Sequence, residues 1–236
     1  MSANNIVAAS FTGAEDSVDP AELARVSARW PQAEWAVLIL DEREGSGRNP
    51  SQAWRLLFLD ALEGRGRTAA HLCGVSAFER LLSGGPWPEL ARYGRVQANI
   101  NARSAHFGKE QVFEVWRRLA ADSGGLIIQL HAGVEAWAAE FLAKAEPGAR
   151  VEALFDESKG RGALPVAWRE SLPGIPCGYA GGLSPENVAA QMPAIARAAR
   201  ALGCWIDMET GVRTGERFDL AKCVQVLERA RPWIAG

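Results

Sequence analysis

The stretch IPCGYAGGLSPENV, residues 175–188, followed after one helical segment by CWIDMETGVR, residues 204–213, decides the fold. In each stretch a short apolar run, typical of a buried strand, ends in a turn that contains glycine. Glycines at such a turn let backbone N–H groups converge on an anion, and a helix that follows adds its positive end. Two such turns in succession predict a phosphate cradle, which in eight-stranded β/α barrels usually follows strands seven and eight.

The rest of the chain supplies the six strands that this prediction requires. Short runs rich in β-forming residues alternate with amphipathic helical patterns, which is the signature of repeated βα units. The runs are residues 6–11, 35–40, 68–73, 95–101, 125–131 and 150–156, and helical patterns follow the first five of them at residues 20–30, 50–62, 75–82, 109–121 and 134–145. The segment after the sixth run has no clean helical stripe, so a short helix is expected there. The sequence therefore predicts one α/β domain over residues 1–236, a (β/α)8 barrel, with a doubly wound open sheet as the alternative.

Composition limits the classes of partner. The chain has 236 residues, 48% of them hydrophobic, and a net charge of −2 with both signs scattered along it. It carries no basic patch for nucleic acid and no apolar run long enough for a membrane, so a small molecule is the expected partner. Residues 1–12 do not resemble a signal peptide, which predicts a cytoplasmic protein. The chain has nine tryptophans, which are expected to pack between the helices and the barrel. A homodimer whose interface contains some of them is the alternative.

The sequence lacks the motifs that are typical of several other kinds of site. The cysteines, which are Cys73, Cys177, Cys204 and Cys223, show neither metal-ligand spacing nor a disulfide pattern, so they are expected to be mostly buried thiols. No lysine lies in the middle of a predicted strand, which argues against a Schiff-base aldolase. No first strand ends in GxGxxG, which argues against a bound dinucleotide. No cofactor is therefore predicted.

Polar side chains gather where the predicted strands end, which is where the active site of such a barrel lies. They are Ser10, Thr12, Asp41, Arg43, His71, Cys73, Gln97, Asn99, Asn101, Gln129, His131, Asp156, Tyr179, Asp207 and Glu209. Several recur at every second residue, so each set can point to one side of its strand. A polar side chain at an inward position costs about 1 to 3 kcal/mol when its hydrogen bonds are unsatisfied. A ligand site is therefore favoured over a hydrogen-bonded core layer without chemistry.

Three segments resemble the phosphoribosylanthranilate isomerases of tryptophan biosynthesis. AGGLSPENV, residues 180–188, is similar to that family's strand-seven phosphate loop and the start of its next helix. Residues 207–220 resemble its strand-eight turn and last helix, and LFDESKGRGALPVAW, residues 154–168, its strand-six aspartate and glycine-rich loop. The resemblance covers the C-terminal third of the chain. It implies a single TIM barrel of the ribulose-phosphate-binding type.

The resemblance also implies roles for particular residues. Asp156 corresponds to the general acid that protonates the ring oxygen of a phosphoribosylamine and opens the ring. The backbone N–H groups that hold the substrate phosphate correspond to those of Gly181, Gly182, Gly211 and Val212. The segment GSGRNPS, residues 45–51, loosely resembles the strand-two loop that carries an arginine for the anthranilate end, so Arg48 is its counterpart.

One catalytic residue of that family has no counterpart. Its general base is a cysteine on strand one, whereas this strand reads IVAASFTG, with Ser10 near the corresponding place. An unassisted serine hydroxyl is a very poor base near neutral pH, so another base is required. The candidates are His71, Cys73 and His131, and the remaining substrate-binding candidates are Asn99, Gln129, Asp207, Glu209 and Arg213. The sequence predicts a divergent relative, an isomerase that acts on a phosphorylated sugar derivative.

Two other functions are left open. AAHLCG, residues 69–74, resembles the strand-three segment of metal-dependent ribulose-phosphate epimerases, with His131, Asp156 or Glu209 as further ligands. Those enzymes also carry a histidine on strand two, which is missing here, so no metal site is assigned. The absent strand-one cysteine motivates the second alternative, a barrel that binds a phosphate ligand without catalysis.

Overall fold

The computed structural model describes residues 6–99, 107–130, 134–145, 148–156, 162–200 and 203–235. Eight parallel strands close into a barrel in the order of the chain. They are β1 (Ile6–Thr12), β2 (Ala33–Ile39), β3 (Arg67–Leu72), β4 (Arg95–Ala98), β5 (Leu126–Leu130), β6 (Val151–Asp156), β7 (Cys177–Ala180) and β8 (Cys204–Met208). The predicted α/β fold, a (β/α)8 barrel, is confirmed, and the open-sheet alternative is wrong.

Seven α-helices accompany the strands within the described residues. They are α1 (Pro20–Arg29), α2 (Gln52–Leu62), α3 (Gly74–Leu82), α4 (Lys109–Asp122), α5 (Glu135–Ala143), α6 (Val188–Ala198) and α7 (Leu220–Ala230). Helices α1 and α7 begin at side-chain caps, because the carboxylates of Asp19 and Asp219 accept hydrogen bonds from backbone N–H groups of the first turn. None of the described helices is long and apolar enough to cross a membrane.

Three features of the fold differ from the prediction. β2 starts at Ala33, two residues earlier than expected, and this brings Glu34 into the strand. β7 starts only at Cys177, after Pro176, which has no N–H to donate to a neighbouring strand. Residues 162–176 contain no helix, although a short one was expected. Three prolines in that segment oppose helix formation.

The N-terminal end of the barrel interior contains a buried ion cluster, formed by Glu34, Arg95 and Glu152. The Nε atom of Arg95 donates to Glu34 at 2.9 Å, and its Nη1 atom donates to Glu152. The guanidinium lies 4.3 Å from the ring centre of Trp205, which packs among the apolar residues of the interior. Burial would raise the pKa of Glu34, but the charge and hydrogen bonds of Arg95 hold it below its ordinary value. The Arg95 cluster is therefore ionised and closes this end by ion pairing.

Candidate active site

A pocket opens at the C-terminal ends of the last three strands of the barrel. Its walls are the strand ends at Asp156, Ala180 and Asp207, together with the turns at residues 181–183 and 208–211. Asp156 pairs in register with Ala180 on β7, and Ala180 pairs with Asp207 on β8. The two carboxyl groups therefore lie in one row of the barrel, on either side of an alanine.

The loops around this pocket are packed backbone against backbone. Gly182 has φ +61°, and a Cβ atom there would lie 2.5 Å from the backbone nitrogen of Leu164. A Cβ atom at Gly211 would lie 2.0 Å from the carbonyl oxygen of Leu183. The side-chain amide of Asn187 donates to the carbonyl oxygen of Gly182 at 2.8 Å and fixes the first of these turns. Both positions require glycine, because any side chain would separate the loops.

Three glycines of these turns line the pocket. The N–H groups of Gly181, Gly182 and Gly211 donate to no acceptor in the described part of the chain. The N–H group of Val212, which was also predicted to bind phosphate, donates to the carbonyl oxygen of Glu209 at 3.3 Å. We therefore define the anion cradle as the N–H groups of the three glycines, without Val212.

The carboxyl group of Asp207, in the pocket wall, has a strongly raised pKa. The hydroxyl of Thr12 donates to its Oδ1 atom at 2.7 Å. Burial, and to a smaller extent the nearby carboxylates Glu209, Asp156 and Glu34, raise the pKa of Asp207 to about 7, against the opposing effect of the Thr12 hydrogen bond. At neutral pH this carboxyl group is therefore protonated in a large fraction of molecules.

Four of the predicted residues meet in two pairs over the mouth of the barrel. The side-chain amide of Gln129 donates to Oδ2 of the buried Asp156 at 2.9 Å. Arg48, from the loop after β2, forms an ion pair with Glu209 after β8, with 2.6 Å between Nη1 and Oε1. Both side chains of this pair remain about one third exposed. The arginine thus reaches across the mouth and neutralises one of the carboxylates that line the pocket.

A second group of polar side chains lies at the C-terminal ends of β3 and β4. The side-chain amide of Asn99 donates to the sulfur of Cys73 at 3.2 Å, and that of Gln97 donates to Asn99. Burial raises the pKa of Cys73 to about 12 and lowers that of His71 to about 4. At neutral pH the first is a thiol and the second a neutral imidazole. Cys73 therefore has almost no thiolate that could act as a base near pH 7, and the imidazole of His71 binds a proton too weakly to act as one.

Arg213, predicted to bind substrate, lies behind the pocket. It is 4% exposed, and its Nη1 atom donates to the carbonyl oxygen of Gly13 at 2.9 Å. Its Nη2 atom lies 3.8 Å from the buried carboxylate of Glu15. The guanidinium therefore ties the turn after β8 to the loop after β1.

Several other residues of the predicted polar ring do not line the pocket. Ser10 hydrogen-bonds Glu34 on β2 and is the register partner of Asp207 on β8. Tyr179 packs against Trp168, with 6.0 Å between ring centres. Asp41 and Arg43 are exposed, and Asn101 and His131 lie outside the described residues.

Five residues of the pocket wall were not predicted as site residues: Gly162, Ala180, Leu183, Met208 and Thr210. Each lies in one of the three glycine-containing segments identified from the sequence, so the segment itself was the available signal. The described residues contain no group of three or more histidine, cysteine, aspartate or glutamate side chains that could hold a metal ion. The ligand set of the epimerase alternative includes His131, which lies outside them.

The chain is similar to known proteins in its structure but not in its sequence. No described protein family and no curated protein sequence matches the chain. Its structure is similar to that of N-(5′-phosphoribosyl)anthranilate isomerase from Pyrococcus furiosus, with a TM-score of 0.50 and 15% identity, over 95% of this chain and 98% of that one.

Two structures from Thermotoga maritima are also similar. One is phospho-2-dehydro-3-deoxyheptonate aldolase, with a TM-score of 0.58 and 10% identity, over 95% of this chain and 68% of that one. The other is a truncated 3-deoxy-D-arabino-heptulosonate 7-phosphate synthase, with a TM-score of 0.59 and 10% identity, over 96% of this chain and 85% of that one. The chain therefore shares the TIM-barrel fold with these three enzymes.

Proposed function

We propose that this chain is an enzyme that isomerises a small phosphorylated sugar derivative, with a reaction of the phosphoribosylanthranilate isomerase type. One observation carries the proposal. Three backbone N–H groups, those of Gly181, Gly182 and Gly211, donate to no acceptor among the described residues, and these glycines line a pocket with two buried carboxyl groups, Asp156 and Asp207. An anion cradle beside acid and base groups is what a proton transfer on a phosphorylated substrate requires.

The charge of the pocket is compatible with a bound phosphate. Three carboxyl groups in its wall would repel a dianion if all of them were ionised and unpaired. Glu209 is paired with Arg48, however, and the raised pKa of Asp207 leaves it partly uncharged at neutral pH. The N–H groups of the cradle then supply charge-assisted hydrogen bonds to the phosphate oxygens.

Asp156 is the general acid of the proposed reaction. It is buried at the end of β6, and Gln129 holds one of its oxygens. In the proposed step its proton passes to the ring oxygen of the sugar as the bond from the anomeric carbon to that oxygen breaks. A positioned acid of this kind contributes roughly 10²- to 10⁴-fold to the rate.

The test is turnover of phosphoribosylanthranilate by the purified protein, with inorganic phosphate as a competitive inhibitor. Asp156→Asn should lower kcat by roughly 10²- to 10⁴-fold, while the inhibition constant for phosphate stays within about twofold. The matched control is Asp60→Asn, because Asp60 forms an exposed ion pair with Arg92 and should change neither quantity.

Two results would contradict the proposal. Full activity in Asp156→Asn would show that the acid has been assigned wrongly. Phosphate binding without turnover by the wild type would favour the non-catalytic binding barrel.

A further inference from the structure

We infer that Asp207 is the general base of this site, the role for which β1 supplies no cysteine. The inference rests on the proposed function and deepens it. It places the base on β8, the strand that pairs with β1 and closes the barrel.

A row of residues across β6, β7 and β8 places the proposed acid and the proposed base in one pocket. Asp156, Ala180 and Asp207 are register partners on three neighbouring strands, and all three line the pocket. Neighbouring strands lie about 4.8 Å apart, so the Cα atoms of the two aspartates are about 10 Å apart. The alanine between them contributes only a methyl group to the pocket wall. An acid and a base on opposite sides of one sugar unit fit this arrangement.

Thr12 orients the proposed base. Its hydroxyl donates to Oδ1 of Asp207 at 2.7 Å, and within the described residues no other side chain hydrogen-bonds this carboxyl group. The carboxyl group is thereby fixed by one oxygen, and Oδ2 is left for a proton from the substrate. Thr12 is a positioning residue in this scheme.

The surrounding charges support the assignment. Carboxylates face Asp207 from three strands or their ends, namely Glu34 on β2, Asp156 on β6 and Glu209 after β8. Among the described residues no cation forms an ion pair with it. Together with burial, these groups raise its pKa to about 7, so its carboxylate binds a proton far better than an ordinary aspartate does. Cys73, by contrast, remains a thiol at this pH.

The step balances without a further reactant. Ring opening through Asp156 leaves a protonated imine at the anomeric carbon. The carboxylate of Asp207 takes the proton from the adjacent carbon, the C–H electron pair forms a C=C bond, and the electron pair of the C=N bond returns to nitrogen. The resulting enol rearranges to the ketone, so the substrate is isomerised and nothing is oxidised or reduced overall.

The experiment compares two variants with phosphoribosylanthranilate as the substrate and inorganic phosphate as the inhibitor. Asp207→Asn should lower kcat by at least about 100-fold while phosphate inhibition is retained. Thr12→Val removes a hydrogen bond that stabilises the carboxylate, so the pKa of the base should rise. The acidic limb of the kcat/KM profile should then move to higher pH by about one unit.

A matched control is Thr68→Val. Thr68 is also buried and also uses its hydroxyl, which accepts from the N–H group of Gly94 at 3.2 Å, but at the opposite end of the barrel. Its pH profile should match that of the wild type, which separates a general loss of stability from a change at the base.

The outcomes distinguish the two proposals. An Asp207→Asn protein that keeps kcat within threefold of the wild type, or a Thr12→Val profile that coincides with that of Thr68→Val, overturns the base assignment alone. If Asp207→Asn fails to fold, the Thr12→Val profile decides. Absence of turnover in the wild type overturns the proposed function and the base assignment together.

Discussion

At the N-terminal end of the barrel Glu34 lies against the guanidinium of Arg95, whereas at the C-terminal end Asp207 lies against the hydroxyl of Thr12. The two carboxyl groups are buried alike, with 3% of Glu34 and 8% of Asp207 exposed. Their proton affinities nevertheless shift in opposite directions, because the pKa of Glu34 is lowered and that of Asp207 is raised to about 7. The partner decides the charge state of each group, since burial alone would raise both values.

The opposite pKa shifts distinguish a structural ion pair from a carboxyl group that can transfer protons near neutral pH. A carboxylate held by arginine stays ionised over the whole range near neutral pH, so it can neither take nor give a proton there. A carboxyl group held by a single hydroxyl can do both. The Arg95 cluster therefore stabilises the fold, and the strand ends at Asp156 and Asp207 form the candidate site.

The largest expected effect comes from breaking the Arg95 cluster. Arg95→Met should lower the free energy of unfolding by about 3 to 5 kcal/mol, because it leaves Glu34 buried without a cation and Glu152 with only the exposed Arg150 as a partner. Urea denaturation measures this loss. The control Arg92→Met breaks an exposed pair with Asp60 and should cost about 0 to 1 kcal/mol. A loss below 1 kcal/mol for Arg95→Met would show that the cluster contributes little to stability.

A smaller effect, on phosphate binding, is expected at the anion cradle, whose shape depends on backbone packing and not on ion pairs. Gly211→Ala should weaken inhibition by inorganic phosphate by about tenfold or more, because a Cβ atom there displaces the turn that carries one of the three N–H groups. Gly108→Ala is the control, since no atom lies closer than 3.8 Å to a Cβ atom at that exposed position. Unchanged inhibition in Gly211→Ala would argue against a phosphate in this pocket.

The smallest effect is expected at Cys73, where burial raises the pKa to about 12. Cys73→Ser should keep kcat within about threefold of the wild type, because a thiol with this pKa does not act as the base. A loss of about 100-fold or more would instead identify it as the base. Cys223→Ser, at a buried cysteine of α7, controls for the general cost of replacing a thiol.

The strands and the two glycine turns could be predicted because their signals are local. Apolar runs such as residues 35–40 identify buried strands, and the glycines of AGGLSPENV identify a tight turn after a strand. The caps at Asp19 and Asp219 are local signals of the same kind, because each aspartate accepts from an N–H group two or three residues later. The segment after β6 was predicted less well, because its prolines outweighed a weak helical pattern.

The contacts that give the site its chemistry could not be predicted, because they join residues far apart in the sequence. Thr12 and Asp207 are separated by 195 positions and meet only when β8 closes the barrel against β1. The Arg95 cluster likewise draws one residue from each of β2, β4 and β6. A sequence shows which strand ends are polar, but the pairing of those side chains sets each pKa.

The most direct test of this comparison is the free energy of unfolding between pH 3 and 8 for the wild type, Glu34→Gln and Asp207→Asn. The pKa of Asp207 is about 7 in the folded protein and 3.8 ordinarily, so its ionisation should destabilise the wild type as the pH rises from about 4 to 7, by up to about 4 kcal/mol. Asp207→Asn should therefore gain stability relative to the wild type over that range.

Glu34 should show the opposite trend, because its pKa is lowered from an ordinary value of 4.5. Its stabilising contribution is present above that value and is lost as the pH falls, so the deficit of Glu34→Gln should grow between about pH 3 and 5 and then stay constant. Opposite trends for the two variants are the predicted result. Trends in the same direction, or an Asp207→Asn protein no more stable than the wild type at pH 7, would contradict the account.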